Sequence, residues 1–298
     1  MAAALPCLGA RTQIRAMPTR RDFLTTLGVA LGTASLGCAR ALEAEDVTRP
    51  LSRIGIQLYT LRSLMEKDVE GTLARVARIG YKEVEFAGYF GRTAAQIRDM
   101  LRANGLTSPS THIPFPASDD AWKRTLDEAN AIGHGWVVIA GLDAAMRKNP
   151  EDWARVAERF NALGAKAKEN GLRFAYHNHD FEFARVGDGT GLDSLLSKTD
   201  PKFVDFEMDI YWVVKGGGDP LDLITRHPHR FPLMHAKDAT VAPARAMVDV
   251  GSGTIDFAKI FAREKESGMV HVFVEHDSPT DPLQSATNSY RYLAGLKY

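Results

Sequence analysis

Cysteine is nearly missing from this 298-residue chain: Cys7 and Cys38 are the only two, and both lie near its start. Beyond them no thiol is left to form a disulfide, so an oxidising compartment is tolerated but not demanded. Net charge is missing as well. Thirty-seven basic and 37 acidic residues cancel, which removes the electrostatic reason to expect nucleic acid or an anionic membrane as partner. The longest apolar run, Leu24 to Leu36, falls short of the roughly 20 residues that a membrane span needs. No G-x-G-x-x-G fingerprint occurs. Gly251-Ser252-Gly253 reads as a loop feeding the last helix, so no nucleotide cofactor is expected. Low-complexity stretches and composition breaks are absent too, and nothing argues for a second folded domain.

With 45% apolar and 25% charged residues, the remainder is ordinary for a globular protein with a real core. The first 41 residues read differently. Thr19-Arg20-Arg21-Asp22-Phe23-Leu24 precedes the apolar run, and Ala39-Arg40-Ala41 follows as a small-residue cleavage site. This is the pattern of a twin-arginine export leader, with Met17 as an alternative start. The leader predicts a periplasmic or exported protein without a membrane span once it is cleaved. Ser35 stands where a lipobox wants an aliphatic residue, which argues against a lipid anchor at Cys38.

From Arg53 onward, strand-like and helix-like periods alternate. Strands are expected at 53–59, 82–86, 106–112, 135–140, 172–178, 203–209, 231–237 and 270–276. Amphipathic helices are expected near 68–79, 93–104, 118–133, 150–170, 190–199, 219–229, 255–268 and 282–295. Gly80, Gly105, Gly133, Gly171 and Gly268 follow helical runs, where a left-handed cap needs no Cβ. Eight such units predict one (β/α)8 TIM barrel over residues 42–298.

Three strands show which side chains point inward. Val270, Val272 and Val274 alternate with His271, Phe273 and Glu275; Val204, Phe206 and Met208 alternate with Asp205, Glu207 and Asp209; Val84 and Phe86 alternate with Glu83 and Glu85. The apolar parity packs against outer helices, so the acids face the barrel interior. Unpaired buried charge is costly, and those acids need a cation, a polar substrate, water or local salt bridges.

Strand ends gather at one mouth in such a barrel. Here they carry Gln57, Glu85, His112, His177 with His179, Asp209, His235 with Lys237, and Glu275. Carboxylates mixed with imidazole suit an oxygen-rich divalent cation with open positions, foremost Mn²⁺, with Mg²⁺, Co²⁺ or Zn²⁺ as alternatives.

Gly55-Ile56-Gln57-Leu58-Tyr59-Thr60-Leu61, Tyr81-Lys82-Glu83-Val84-Glu85, His177-Asn178-His179, His235-Ala236-Lys237-Asp238, Gly251-Ser252-Gly253-Thr254-Ile255-Asp256 and Val274-Glu275-His276 occur in this order. Together they resemble the landmarks of the xylose isomerase-like barrel superfamily, the sugar phosphate isomerase/epimerase family. The resemblance implies one divalent metal held by Glu, Asp, His and Glu from the ends of strands five to eight. Asp209, His235 and Glu275 match three of these. This chain has His177 where relatives have the first Glu, so Glu182, just beyond, is assigned as the fourth ligand; His177 or His179 is the alternative. Glu182, Glu275, His177 and His179 are the candidate proton-transfer groups. Glu85, His112, Lys237, Tyr59 and Trp212 are the candidate substrate contacts.

The activity so implied is a sugar isomerase or epimerase that moves a proton next to the carbonyl of a ketose or keto-sugar. If a leaving group stands β to the carbonyl, the same site is a keto-sugar or keto-glycoside lyase or dehydratase. A noncatalytic carbohydrate-binding barrel and an endonuclease IV-like metal hydrolase are the remaining readings. The expected partner is a small carbohydrate, and a homo-oligomer is compatible with all of them.

Overall fold

The computed structural model describes residues 49–298. The expected leader, with its arginine pair, cleavage site and Cys38, lies outside the described residues. Eight parallel strands close into a barrel in sequence order. They are β1 (Gly55–Gln57), β2 (Glu83–Ala87), β3 (Thr107–Ile113), β4 (Trp136–Ile139), β5 (Arg173–His177), β6 (Val204–Asp209), β7 (Leu233–Ala236) and β8 (His271–Val274). Each falls within or a residue from its predicted span. No helix among the described residues is long and apolar enough to cross a membrane.

The outer helices follow the predicted periods, from Val69–Ile79 to Pro282–Gly295. Their starts are fixed by side-chain oxygens that accept from otherwise unpaired amides: Asp68, Thr93, Ser118, Asn149, Thr190 and Asp281 each cap a helix. All five glycines expected at helix ends have positive φ. The sequence periods did not reveal the short pieces on the C-terminal side of the strands. These are a 3-10 turn at Leu58–Leu61, another at Phe181–Phe183, a helix at Ile210–Lys215 and two small ribbons. Such segments are too short to show a hydrophobic period.

Inside the barrel the side chains form three levels. At the floor, His271 Nδ1 lies 2.7 Å from Glu83, and Asp205 accepts from Arg173 at 2.8 Å and from the Trp136 indole at 3.1 Å. Trp136, Val138, Ala175, Leu233 and Phe273 then form a dry plug, separate from the core under the helices. Gly55 makes room for this plug, since a Cβ there would sit 2.5 Å from the Phe273 ring. A buried aromatic side chain of this kind contributes on the order of 2–3 kcal/mol. Above the plug, at the C-terminal ends of the strands, the interior turns polar again.

Candidate metal and active site

Four side chains from consecutive strands meet at that end. His177, Asp209, His235 and Glu275 each offer one ligand atom, all within 4.8 Å of one another, and all four residues are buried. Their approach follows from register. β6 pairs with β7 so that Asp209 stands beside His235, while β5 pairs with β6 so that His177 stands beside Glu207. His177 Nε2 lies 3.6 Å from Asp209 Oδ2, and His235 Nδ1 lies 2.7 Å from Glu275 Oε2.

The opposite edges of both imidazoles are held by carboxylates. Glu207 Oε2 is 2.9 Å from His177 Nδ1 and 3.1 Å from His235 Nε2. Glu85 Oε2 lies 2.7 Å from His235 Nε2 and accepts from the Gln57 amide at 2.8 Å. His112 completes this lower tier, with its Nε2 2.6 Å from Glu207 and 3.2 Å from Glu85. A carboxylate behind each ligating imidazole is the arrangement that fixes ring orientation in metal sites.

The donor set fits a divalent cation. Two imidazole nitrogens and two carboxylate oxygens converge, and the buried Asp209 Oδ2 has no aligned hydrogen bond. Lys237 Nζ lies 3.0 Å from Asp209 Oδ2, 2.7 Å from Glu275 Oε2 and 2.8 Å from Asp277 Oδ1, so its ammonium bridges the carboxylates of the group. The charges set the protonation states. Burial raises Asp209 to about 6, against the pull of Lys237 and His235. Burial also opposes ionisation of Glu275, but Lys237 and His235 hold it well below the usual carboxylate range. His112 is driven up to about 10 against burial, by Glu85 and Glu207. Burial, then Lys237, pushes His179 down to about 4, which leaves it a neutral imidazole.

A cavity of about 580 Å³ opens above this group, lined among others by His112, His177, His179, Lys237, Glu275 and Tyr59. Tyr59, His112 and Lys237 therefore stand where the sequence places substrate contacts. Two other expected contacts do not line it. Glu85 is buried beneath the ligand group, and Trp212 leans on His179 with ring centres 5.5 Å apart while its amide donates to Asp209.

Glu182 is the departure from the expected ligand set: the structure does not bring it to Asp209, His235 and Glu275. The chain reverses tightly after β5. Glu182 is turned under that reversal, accepting from the Tyr176 hydroxyl at 2.5 Å and from the His179 amide at 2.8 Å. Tyr176 points outward into the helix-side core, so Glu182 follows it away from the mouth, and burial raises its carboxyl to about 7. His177 occupies the fourth corner instead. Glu207 was passed over in the sequence although it shares its parity with Asp205 and Asp209. Asp238 explains another motif: its carboxylate accepts from the amides of Gly251, Gly253 and Ile255, and a Cβ at Gly253 would collide with it.

Fold and site together define an α/β-barrel enzyme with its chemistry at the C-terminal mouth. The sequence pattern of the xylose isomerase-like TIM barrel matches residues 73–295, and the chain belongs to that family. The inosose dehydratase of Clostridium perfringens is 25% identical over 268 residues, covering 76% of this chain and 90% of that protein. An inosose dehydratase of Lacticaseibacillus casei is 25% identical over 272 residues, covering 76% and 89%. A sugar phosphate isomerase/epimerase from Parabacteroides distasonis superposes with a TM-score of 0.72 at 28% identity, covering 82% of this chain and 94% of that structure. Both of these curated relatives are named for a dehydration, which is a lyase reaction.

Proposed function

We propose that this protein is a divalent-metal-dependent lyase that removes a proton next to the carbonyl of a keto-sugar or keto-polyol and expels the oxygen substituent on the following carbon. The observation that carries this reading is the convergence of His177, Asp209, His235 and Glu275 under an open cavity. Similarity to dehydratases over nine-tenths of their length supports the elimination outcome. Those four residues would hold the ion, which when bound supplies Lewis-acid polarisation of a substrate carbonyl and so acidifies the adjacent C–H. Mn²⁺ remains the ion we expect, and elemental analysis of the purified protein decides.

The protein's own groups divide the remaining work. His179 is neutral and lines the cavity, so it can accept the α-proton. Glu207 and Glu85 hold His112 by its Nε2, and the cationic ring faces the cavity, where it can donate to the departing oxygen. Lys237 keeps Glu275 ionised and opposes the burial that raises Asp209. Glu182 orients His179 through its backbone amide.

The test is NMR of an inosose and a panel of ketoses with metal-loaded protein in D₂O. An unsaturated ketone with no hydrogen left on the carbon that gave up its proton is the expected product, with solvent deuterium entering at the former leaving-group carbon where the enol tautomerises to a dione. Deuterated isomers without unsaturated product would replace the lyase by the isomerase, the reading favoured by the Parabacteroides likeness. Neither unsaturated product nor exchange in any substrate, with metal bound, removes both. Export through the leader is proposed alongside: residues 1–41 should carry a folded reporter out of the cytoplasm, and Arg20→Lys with Arg21→Lys should retain it there.

A further inference from the structure

One acid at the mouth has no part in the ligand group. Asp277 stands just past Glu275 in the loop after β8 and lines the cavity, but it is not among the residues whose ligand atoms converge. Its Oδ1 lies 2.8 Å from Lys237 Nζ, an ammonium that also meets Glu275 Oε2 and Asp209 Oδ2. One cation is thus shared by three carboxylates, and Lys237 is the only partner of the Asp277 carboxylate among the described residues. Asp209 and Glu275 are buried, whereas the Asp277 side chain is 29% exposed. Of the three, Asp277 is the one that a molecule in the cavity can reach most freely.

The loop holds that side chain in place. The His276 amide donates to the Thr60 hydroxyl, the Asp277 amide to the Met247 sulfur and the Ser278 amide to His276 Nδ1. Thr60 lies in the turn after β1, and β1 pairs with β8, so the loop is clamped to its neighbour in the barrel. With these amides tied inside the protein, Asp277 and Ser278 face the cavity through their side chains, next to Tyr59. The Arg62 guanidinium covers the Tyr59 ring at 4.1 Å and donates to its carbonyl, which fixes the aromatic at the rim. No arginine is among the described residues that line the cavity.

An ionised carboxylate accepts hydrogen bonds and donates none, and its charge repels an anion brought against it. A hydroxyl therefore satisfies Asp277, whereas a phosphate ester in the same place meets a like charge, with Lys237 already shared among the acids. Deepening the reading proposed above and resting on it for the ring that binds, we infer that Asp277 is a specificity-determining residue. It accepts the O–H of a substrate hydroxyl on the β8–β1 side of the cavity and excludes substrates that carry a phosphate there. The substrate is unphosphorylated at that position, although a structural neighbour is named for sugar phosphates.

The test separates recognition from chemistry. Binding of myo-inositol and of its monophosphates to the metal-loaded full chain is measured by calorimetry, and turnover of an inosose is followed by NMR. Asp277→Asn keeps an acceptor carbonyl and drops the charge. It should shift the ratio of affinities towards at least one monophosphate by roughly ten-fold or more. Asp277→Ala should weaken myo-inositol binding and raise KM for the inosose by roughly ten- to hundred-fold, the range of a hydrogen bond to a charged group. Elemental analysis should find wild-type metal content in both variants. A ratio that Asp277→Asn leaves unmoved for every monophosphate, or an unchanged Kd and KM in Asp277→Ala, overturns the inference while the lyase reading stands. Loss of metal from either variant also overturns it and makes Asp277 a support for Lys237 and the ligands. Selective binding that depends on Asp277, without elimination from the inosose, upholds the recognition role and counts against the lyase reading alone.

Discussion

The floor and the mouth of this barrel are built from the same strands and carry the same kinds of side chain, yet they are balanced differently. At the floor every acid has its own counterpart: Glu83 has His271 and Arg53, and Asp205 has Arg173 and the Trp136 indole. At the mouth Glu85, Glu207, Asp209, Glu275 and Asp277 share Lys237 and a set of imidazoles, and the buried Glu85 Oε1 and Glu207 Oε1 have no hydrogen-bond partner. Strand β6 shows the change within five residues, from the paired Asp205 through Glu207 to Asp209. Matched buried charge holds a fold together, whereas surplus buried anionic charge is tolerated where a cation is to be held.

The comparison breaks first at the ligands. Asp209→Asn and Glu275→Gln should each abolish metal retention and turnover together, a loss beyond the roughly 100-fold that an outer carboxylate is worth. Elemental analysis after gel filtration, beside an elimination assay, checks this. Full metal content in either variant would dissolve the proposed site. Glu207→Gln sharpens the contrast from beneath. It should weaken metal binding by about 10- to 100-fold in a competitive titration. The melting temperature of the metal-free protein should fall only modestly, because Glu85 still pairs with His112 and His235. A large fall in metal-free stability with unchanged affinity would make Glu207 a floor residue in function.

The floor should answer in the opposite currency. Asp205→Asn leaves the Arg173 guanidinium and the Trp136 indole with a weaker partner and should cost about 1–3 kcal/mol in denaturant unfolding. Metal affinity should stay at the wild-type value, since the dry plug lies between the two levels. A metal defect in this variant would mean that floor and mouth are coupled through β6.

Much of this contrast was legible before any coordinates. Alternation in β2, β6 and β8 gave the inward acids, and strand ends gave His177, Asp209, His235 and Glu275 as neighbours at one mouth. Two features were not. Glu207 joins the mouth because strand stagger sets it beside His177 rather than beside the floor acids, and stagger cannot be read from one strand's alternation. Glu182 leaves the mouth because the reversal after His177 ties it to the Tyr176 hydroxyl. That hydroxyl sits on the apolar parity, where the sequence reads only packing. The local salt bridges weighed as an alternative for the interior acids occur at both levels, with Lys237 serving Asp209, Glu275 and Asp277 together at the mouth.

The smallest expected effect concerns a histidine at neither level. His134 is buried between Phe86 and Tyr89, with Nδ1 2.8 Å from the Ser108 carbonyl and Nε2 3.1 Å from the Tyr89 hydroxyl. Burial lowers it from the ordinary 6.5 to about 4, despite the Ser108 bond. The folded state therefore binds this proton less readily than the unfolded chain does. Its contribution is intact above 6.5 and drains away as pH falls towards 4, with about 1 kcal/mol gone by pH 6. His112 acts with the opposite sign and in another window: its raised value favours the folded state below 6.5, a gain lost as pH climbs towards 10. The difference in unfolding free energy between wild type and His134→Gln, measured from pH 7.5 to 5, should thus slope in favour of the variant towards acid. A flat difference would show that the imidazole is not held neutral by its burial.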